Sequence, residues 1–197
     1  MIQKLLETIK IVDKQAQYLE FHQARMQRSC VQLNIAEHAP DLKQALLNAP
    51  EKGEFRARIV YKQQIESIEY FPILVRRFQR FKLVKANGLE YAYKFLNRDT
   101  INQLFTMKGM ADDVLFVKNG LITDTSIANV AFFDGIHWQT PRVPLLKGTT
   151  RARLLQSGEL HLMEITPAML PNFEKMALCN AILGFYVLDK VEIIEGL

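Results

Sequence analysis

Residues 117–135, VKNGLITDTSIANVAFFDG, contain two clear turn signals within one largely apolar stretch. Asn119-Gly120 and Asp134-Gly135 are dipeptides that tolerate the positive φ values of tight hairpin turns. Each lies next to apolar runs whose length and composition are typical of strands. The stretch therefore predicts antiparallel strands joined by short turns, and a second half of the chain that is rich in strands.

The rest of the chain predicts a mixture of helices and strands. Residues 4–12 place apolar and β-branched side chains at alternate positions, which indicates a strand. Residues 20–33 mix apolar and charged side chains as a surface helix does. The other predicted helices are 41–47, 99–108 and 148–158, and the other predicted strands are 54–61, 65–73 and 81–85. Together these elements predict an α+β protein.

The length of 197 residues fits one or two domains, on a prior of roughly 100–200 residues per domain. We predict a small N-terminal α+β domain over residues 1–87 and a larger, strand-rich domain over residues 88–197. The sequence has no internal repeat and no low-complexity tract that would mark a flexible linker.

Composition and charge argue against several classes of protein. The formal net charge is +4, but the densest basic run, 76–85, alternates with apolar residues like an edge strand with a solvated face, so nucleic-acid binding is not expected. Cys30 and Cys179 lack the paired spacing of a disulfide framework or a metal site. Residues 1–10 do not resemble a signal peptide, and the longest apolar run, 181–188, is too short to span a bilayer. We expect a cytoplasmic protein with no membrane insertion and no bound metal.

Three segments in the middle of the chain contain polar residues in a distinctive order. They are Tyr93-Lys94 with Leu96-Asn97-Arg98, Gly120 to Ser126 with Asn129, and Thr140-Pro141 followed by Leu146 to Arg151. In this order they resemble the class IV aminotransferases, which include branched-chain aminotransferases, D-amino-acid aminotransferases and aminodeoxychorismate lyase. The similarity covers nearly the whole chain, and its outer parts are Glu7-Thr8-Ile9, His22 with Arg25, and Cys179-Asn180-Ala181.

The resemblance implies a fold, a cofactor and an assembly. Enzymes of this family share fold type IV of the pyridoxal 5'-phosphate (PLP) enzymes, in which a small α/β sandwich domain precedes a larger, strand-rich pseudo-barrel domain. They act on small-molecule amino substrates, and a homodimer is implied because the cleft takes residues from the partner chain. We expect the same of this chain.

Lys94 is the catalytic residue that the resemblance implies. In the family, a lysine in this place forms the Schiff base with PLP and, once released by the substrate amine, moves protons at the substrate carbon. Such an amine must be neutral part of the time, which burial near a cationic ring system favours. Without the resemblance, Lys94 would be interpreted as a solvated side chain.

Asp124 is the expected partner of the cofactor ring. PLP withdraws electrons best when a carboxylate keeps its pyridine nitrogen protonated, and the family places a glutamate in the segment that matches Thr123 to Asn129. Because aspartate is one methylene shorter, the contact would need a closer backbone or a bridging water. The alternative is that Asp124 only caps a turn with the hydroxyl residues that follow it. Asn129 belongs to the same motif and is expected at the cofactor.

The expected phosphate site combines a helix start with an arginine. Gly148 begins a predicted helix whose first amides, together with Thr149 and Thr150, can bind an anion. By resemblance, Arg25 is the phosphate-binding arginine of a His-x-x-Arg motif, in which His22 has a structural role. Asn180 matches an asparagine that lies near the cofactor in the lyase branch.

The substrate-binding candidates lie on the predicted strands of the first half. Arg56 and Arg58 alternate along one strand and so share a face, where either could bind a substrate carboxylate. Thr8, in the first strand, is a third candidate. The alternative interpretation, two exposed strand arginines, fits the sequence equally well.

Three functions are compatible with these motifs. The favoured one is a lyase that resembles aminodeoxychorismate lyase and converts 4-amino-4-deoxychorismate to 4-aminobenzoate and pyruvate in folate biosynthesis, because Leu96-Asn97-Arg98 and Cys179-Asn180-Ala181 are lyase-like. The second is an aminotransferase acting on a D- or branched-chain amino acid. The third is a non-catalytic PLP-binding homologue, suggested by Asp124 and by the missing N-terminal strands of the family.

Overall fold

The computed structural model describes residues 3–74 and 76–196, and the chain forms two compact units. The first unit is Met1–Val75 with Tyr93–Asn97, and the second is Arg76–Ala92 with Arg98–Leu197. Helices and strands occur in both, which confirms the predicted α+β class. Within the described ranges, no helix is long and apolar enough to cross a membrane.

The first unit is a four-stranded antiparallel sheet with two helices. Its elements are β1 (Leu5–Val12), β2 (Gln15–Ala16), α1 (Leu19–Gln32), α2 (Leu42–Ala45), β3 (Glu54–Tyr61) and β4 (Ile65–Pro72), and the strand order is β2-β1-β3-β4. Successive side chains of a strand point to opposite faces of its sheet. Leu5, Ile9 and Ile11 of β1 therefore share one face, and they are buried in one cluster with Met26 and Cys30 of α1. The side chains at alternate positions of residues 4–12 thus form part of the core of this unit.

The segment that contains Lys94 joins the first unit through backbone contacts with β1. Leu5 forms an antiparallel bridge with Phe95, and the N–H of Leu6 donates to the Lys94 carbonyl at 2.8 Å. The rings of Tyr93 and Phe95 pack against the core of this unit. The domain division at residue 87 stays a prediction, but it groups Lys94 with the strand-rich half, whereas these contacts group it with β1.

The second unit is built around one nine-stranded sheet. Its elements are β5 (Arg80–Lys85), α3 (Asp99–Thr106), β6 (Asp113–Lys118), β7 (Leu121–Thr125), β8 (Asn129–Phe133), β9 (Trp138–Pro141), α4 (Thr149–Gln156), β10 (His161–Met163), a 3₁₀ helix (Pro167–Asn172), β11 (Lys175–Asn180), β12 (Gly184–Leu188) and β13 (Glu192–Ile194). The main path is β10-β9-β8-β7-β6-β5-β13, and β11 pairs with both β8 and β12.

The hairpin signals of the sequence are confirmed, whereas the edge-strand interpretation of residues 76–85 is wrong. Asn119 and Gly120 join β6 to β7 with φ values of 51° and 80°, and Gly135 has a φ of 96° in the turn between β8 and β9. β5 is no edge, because it pairs with β6 on one side and β13 on the other. Its apolar side chains, Phe81 among them, are buried in the core of this unit.

Candidate active site

The predicted site residues divide between the two units. Those of the first unit are Thr8, Arg25, Arg56, Arg58 and Lys94, and those of the second are Asp124, Asn129, Thr149, Thr150 and Asn180.

Lys94 lies beside the N-terminal half of β1. Its carbonyl accepts from the N–H of Leu6, and the N–H of Leu96 donates to the carbonyl of Lys4, also at 2.8 Å. The side chain of Lys94 is half-buried. The backbone of Lys94 is thus fixed directly beside Leu6, the residue that precedes Glu7.

Arg25 is held by Glu7, a residue whose role the sequence did not predict. Glu7 is fully buried in β1, on the face that packs against α1. Arg25 donates from Nε to Glu7 Oε1 at 2.8 Å and from Nη2 to Oε2 at 2.5 Å. His22 Nδ1 lies 2.7 Å from Glu7 Oε2. The predicted phosphate ligand therefore belongs to a buried ion pair. The structural role predicted for His22 agrees with this contact.

The charge of Glu7 is strongly favoured in the folded chain. Burial alone would raise the pKa of Glu7, but the charge of Arg25 and the hydrogen bonds from His22 and Arg25 outweigh it and lower the pKa to about 2. Burial raises the pKa of the nearby Tyr61 hydroxyl, and the charge of Glu7 adds to this rise. The one signal in the sequence was an acidic residue on the face of β1 that is otherwise apolar.

The substrate-binding candidates lie on the opposite face of this sheet from Glu7. Thr8 is in register with Arg58, and Arg58 Nη1 donates to Glu69 Oε2 of β4 at 2.6 Å. The guanidinium of Arg56 lies 5.0 Å from the ring centre of Phe71. Both arginines therefore have cross-strand partners, and the sheet separates these three candidates from the ion pair of Arg25.

Asp124 is buried in the second unit and has hydrogen bonds to both carboxylate oxygens. Asn129 Nδ2 donates to Oδ1 at 2.9 Å, and the N–H of Leu146 donates to Oδ2 at 2.9 Å. Asp124 and Asn129 are also directly paired between β7 and β8. Because a carboxylate offers roughly four acceptor sites, the group can accept a further N–H. Its partners, Asn129 and Leu146, are not the hydroxyl residues that follow Asp124, which the turn-cap alternative named.

Burial changes the protonation of Asp124. It raises the pKa of this carboxyl to about 7, although the hydrogen bonds from Asn129 and Leu146 and the charge of Arg151 act in the opposite direction. Asp124 in the cofactor-free chain therefore gains and loses its proton near neutral pH. A cationic ring nitrogen beside it would favour the ionised form.

The raised pKa of Asp124 predicts a pH-dependent stability. Between its ordinary pKa of 3.8 and about 7, the folded chain keeps a proton that the unfolded chain has released, so rising pH lowers the free energy of unfolding by up to about 1.4 kcal/mol per pH unit. Urea titrations of the cofactor-free chain from pH 4 to 8 should show a smaller decline for Asp124→Asn than for the wild type. Asp134→Asn, at an exposed position, is the control. Equal declines for Asp124→Asn and the wild type would contradict the prediction.

The start of α4 is the second part of the candidate site in this unit, where the sequence predicted a phosphate. Gly148 occupies its N-cap position and no side chain caps the helix. Thr149 and Thr150, in its first turn, are buried. The first N–H groups of a helix lack intrahelical partners and lie at the positive end of its dipole. Their arrangement suits an anion, as the sequence predicted.

Arg151 fixes this helix to β9 and was not given a role from the sequence. It donates from Nη2 to the Pro141 carbonyl at 2.7 Å and from Nε to Thr140 Oγ1 at 3.3 Å, and Thr140 Oγ1 donates to the Val130 carbonyl at 2.8 Å. The Thr-Pro and Gly-x-Thr-Arg motifs thus form one structural connection. Arg151 positions the helix start.

The turn after Asp124 is held by residues from distant parts of the chain. Arg98 Nη2 donates to the Ser126 carbonyl at 2.6 Å, and Asn180 Nδ2 lies 3.4 Å from the Ile127 carbonyl. Asn180 Oδ1 also accepts from the N–H groups of residues 182 and 183. Asn180, predicted at the cofactor, therefore binds backbone groups around this turn.

The residues of the second unit fit PLP. A buried carboxylate with remaining acceptor capacity suits a pyridine nitrogen, and a helix start without a side-chain cap suits a phosphate dianion.

Comparisons with known proteins agree with this interpretation. The family model described as "Amino-transferase class IV" matches residues 4–190. An uncharacterized protein of Haemophilus influenzae is 33% identical over 185 residues, which cover 91% of this chain and 98% of that protein. A crystal structure from Haemophilus somnus 129pt, named "putative 4-amino-4-deoxychorismate lyase", is 30% identical with a TM-score of 0.83, and the match covers 93% of this chain and 98% of that one.

A more distant structure shares the fold alone. It is a hypothetical aminotransferase from Mycobacterium tuberculosis in a PLP-bound form, 18% identical with a TM-score of 0.81, and the match covers 96% of this chain and 81% of that one. The family match extends over nearly the whole of the present sequence. The chain therefore belongs to the class IV aminotransferase family and is a PLP-dependent enzyme.

Proposed function

We propose that this enzyme is a lyase that converts 4-amino-4-deoxychorismate to 4-aminobenzoate and pyruvate. The main support is that the two lyase-like segments meet at one turn: Arg98 and Asn180 bind the adjacent carbonyls of Ser126 and Ile127, two and three residues after Asp124. The similarity to the Haemophilus somnus protein, which is named for this reaction, supports the same choice.

The proposal assigns the cofactor contacts residue by residue, on the family resemblance. Lys94 would hold the aldehyde carbon of PLP, Asp124 would hydrogen-bond the ring nitrogen, and Arg25, Thr149 and Thr150 would hold the phosphate. When bound, PLP supplies a ring that withdraws electrons from the substrate carbon attached to the amine. Asp124 keeps the proton on the ring nitrogen, which strengthens that withdrawal.

Lys94 performs the proton transfers in this proposal. Its amine takes the proton from the substrate ring carbon that bears the amino group. The C–O bond to the enolpyruvyl group then breaks, the ring becomes aromatic, and a proton delivered by Lys94 converts the departing fragment to pyruvate. No oxidant or reductant is needed, since the electron pair of the broken C–H bond becomes the third double bond of the ring and the pair of the broken C–O bond leaves with the oxygen of the departing fragment.

Thr8, Arg56 and Arg58 stay in the proposal as substrate-binding candidates, under one condition. Because Glu69 already pairs with Arg58, a substrate carboxylate would have to replace that partner.

A homodimer is also part of the proposal, on the family resemblance, and sedimentation of the PLP-loaded enzyme would test it.

Product analysis distinguishes this reaction from transamination. The PLP-loaded enzyme is expected to release 4-aminobenzoate and pyruvate from 4-amino-4-deoxychorismate in equal amounts. D-alanine and a branched-chain amino acid should leave the spectrum of bound PLP unchanged, because the lyase requires no half-transamination. Conversion of the cofactor to its pyridoxamine form by either amino acid, with no 4-aminobenzoate formed, would favour the aminotransferase instead.

A further inference from the structure

Asn129 connects Asp124 to the loop that leads into α4. Its Nδ2 donates to Asp124 Oδ1 at 2.9 Å and to the Leu146 carbonyl at 2.7 Å. The N–H of Leu146 in turn donates to Asp124 Oδ2. These three hydrogen bonds form a closed ring between the acid, the amide and the loop. A displacement of the loop would therefore disturb the carboxylate.

Gly148 leaves the space that the Asn129 side chain occupies. Its φ of −69° and ψ of 149° suit any residue, so the glycine is not needed for its backbone conformation. A Cβ at position 148, however, would lie only 2.0 Å from Asn129 Oδ1. Because two hydrogen bonds hold that amide, it cannot move aside without losing its contact with Asp124 or Leu146.

We propose that Asn129 is a positioning residue that couples the acid at the cofactor ring to the helix start at the cofactor phosphate, and that Gly148 preserves the space this coupling requires. The inference rests on the proposed function, which assigns Asp124 to the ring and α4 to the phosphate. Asn129 acts through Asp124 and Leu146 and not by contact with PLP. Its loss should therefore weaken PLP binding as a whole.

A double-mutant cycle tests the coupling. The full chain is prepared as the wild type, Asn129→Ala, Gly148→Ala and the double variant, and PLP affinity is measured by titration with the fluorescence of Trp138, the single tryptophan. Each single change is expected to weaken PLP binding by at least about tenfold. The double variant should bind PLP no more weakly than Asn129→Ala, because the new Cβ at position 148 then meets no amide.

Gly88→Ala is the matched control. A Cβ at position 88 would meet no atom within 4 Å, so this variant should bind PLP like the wild type. Unchanged affinity in Asn129→Ala would overturn the proposal. The proposal would also be overturned if the loss of PLP affinity in the double variant equalled the product of the two single losses, since the two residues would then act separately. If Gly148→Ala does not fold, recovery of folding and of PLP affinity in the double variant supports the coupling, and failure of that recovery overturns it.

A second measurement separates this inference from the proposed function. The Asp124 carboxyl is titrated by carbon NMR in the four cofactor-free proteins. Both single variants should raise its midpoint by about one pH unit, since each loses the amide donor, with no further rise in the double variant. A wild type that binds no PLP would overturn the proposed function, while an unchanged midpoint in both variants would overturn the coupling itself.

Discussion

Replacing Lys94 with alanine is expected to lower turnover by at least about 10³-fold and to abolish the yellow absorbance of lysine-bound PLP. The expected loss is large because the proposed function assigns one amine both to the cofactor aldehyde and to the proton transfers, so that covalent and acid-base contributions would be lost together. Measurements of kcat and of the absorbance spectrum after PLP addition check both effects. Added methylamine should restore part of the turnover, since a free amine can replace the missing proton carrier.

Lys85→Ala is the control for this experiment. Lys85 is exposed at the end of β5, so its loss should leave both the absorbance and turnover of the PLP-loaded enzyme unchanged. Lys94→Ala should also unfold at the same urea concentration as the cofactor-free wild type, because the contacts of residues 93–97 with β1 include backbone hydrogen bonds. A Lys94→Ala enzyme that keeps its yellow absorbance would mean that another amine binds PLP.

Local pattern in the sequence predicted most of the helices and strands. The alternation in residues 4–12 and the dipeptide Asn119-Gly120 each specify a structure through their own backbone and side-chain preferences. Both signals are confirmed, because β1 buries alternate side chains and the dipeptide adopts positive φ. Such signals need no knowledge of distant partners.

Partner choice across long separations could not be predicted in the same way. Glu69 pairs with Arg58 only because the register of β3 and β4 places them opposite each other. Glu7 and Arg25 meet because α1 packs against the face of the sheet on which the Glu7 side chain lies. Lys94 is grouped with β1 because the next residue, Phe95, forms a bridge with Leu5 across 90 residues of sequence. None of these contacts follows from spacing, which explains why the motifs were predicted and their supports were not.

Loss of the Glu7 carboxylate is the second large effect that we expect. Glu7→Ala leaves the Arg25 guanidinium in the core of the first unit without its anionic partner, and removing one member of a buried ion pair destabilises a protein by about 3–5 kcal/mol. Urea unfolding of the cofactor-free chain at pH 7 measures the change. Glu66→Ala, which removes a partly exposed partner of Lys4, should cost no more than about 1 kcal/mol.

The pH dependence of the Glu7 variant gives an independent check with a defined sign. The folded chain lowers the pKa of Glu7 from 4.5 to about 2, so its stabilising contribution is present above pH 4.5 and is lost as the pH falls towards 2. The contribution corresponds to about 3 kcal/mol. Glu7→Ala should therefore be less stable than the wild type at pH 7, and the difference should shrink on acidification. A constant difference from pH 7 to pH 2 would mean that lost packing, and not lost charge, explains the destabilisation.

Replacing the pair together, as Glu7→Leu with Arg25→Met, should recover much of the stability at pH 7, because an apolar pair needs no desolvated charges. If Arg25 binds the cofactor phosphate as proposed, that double variant should still bind PLP more weakly than the wild type.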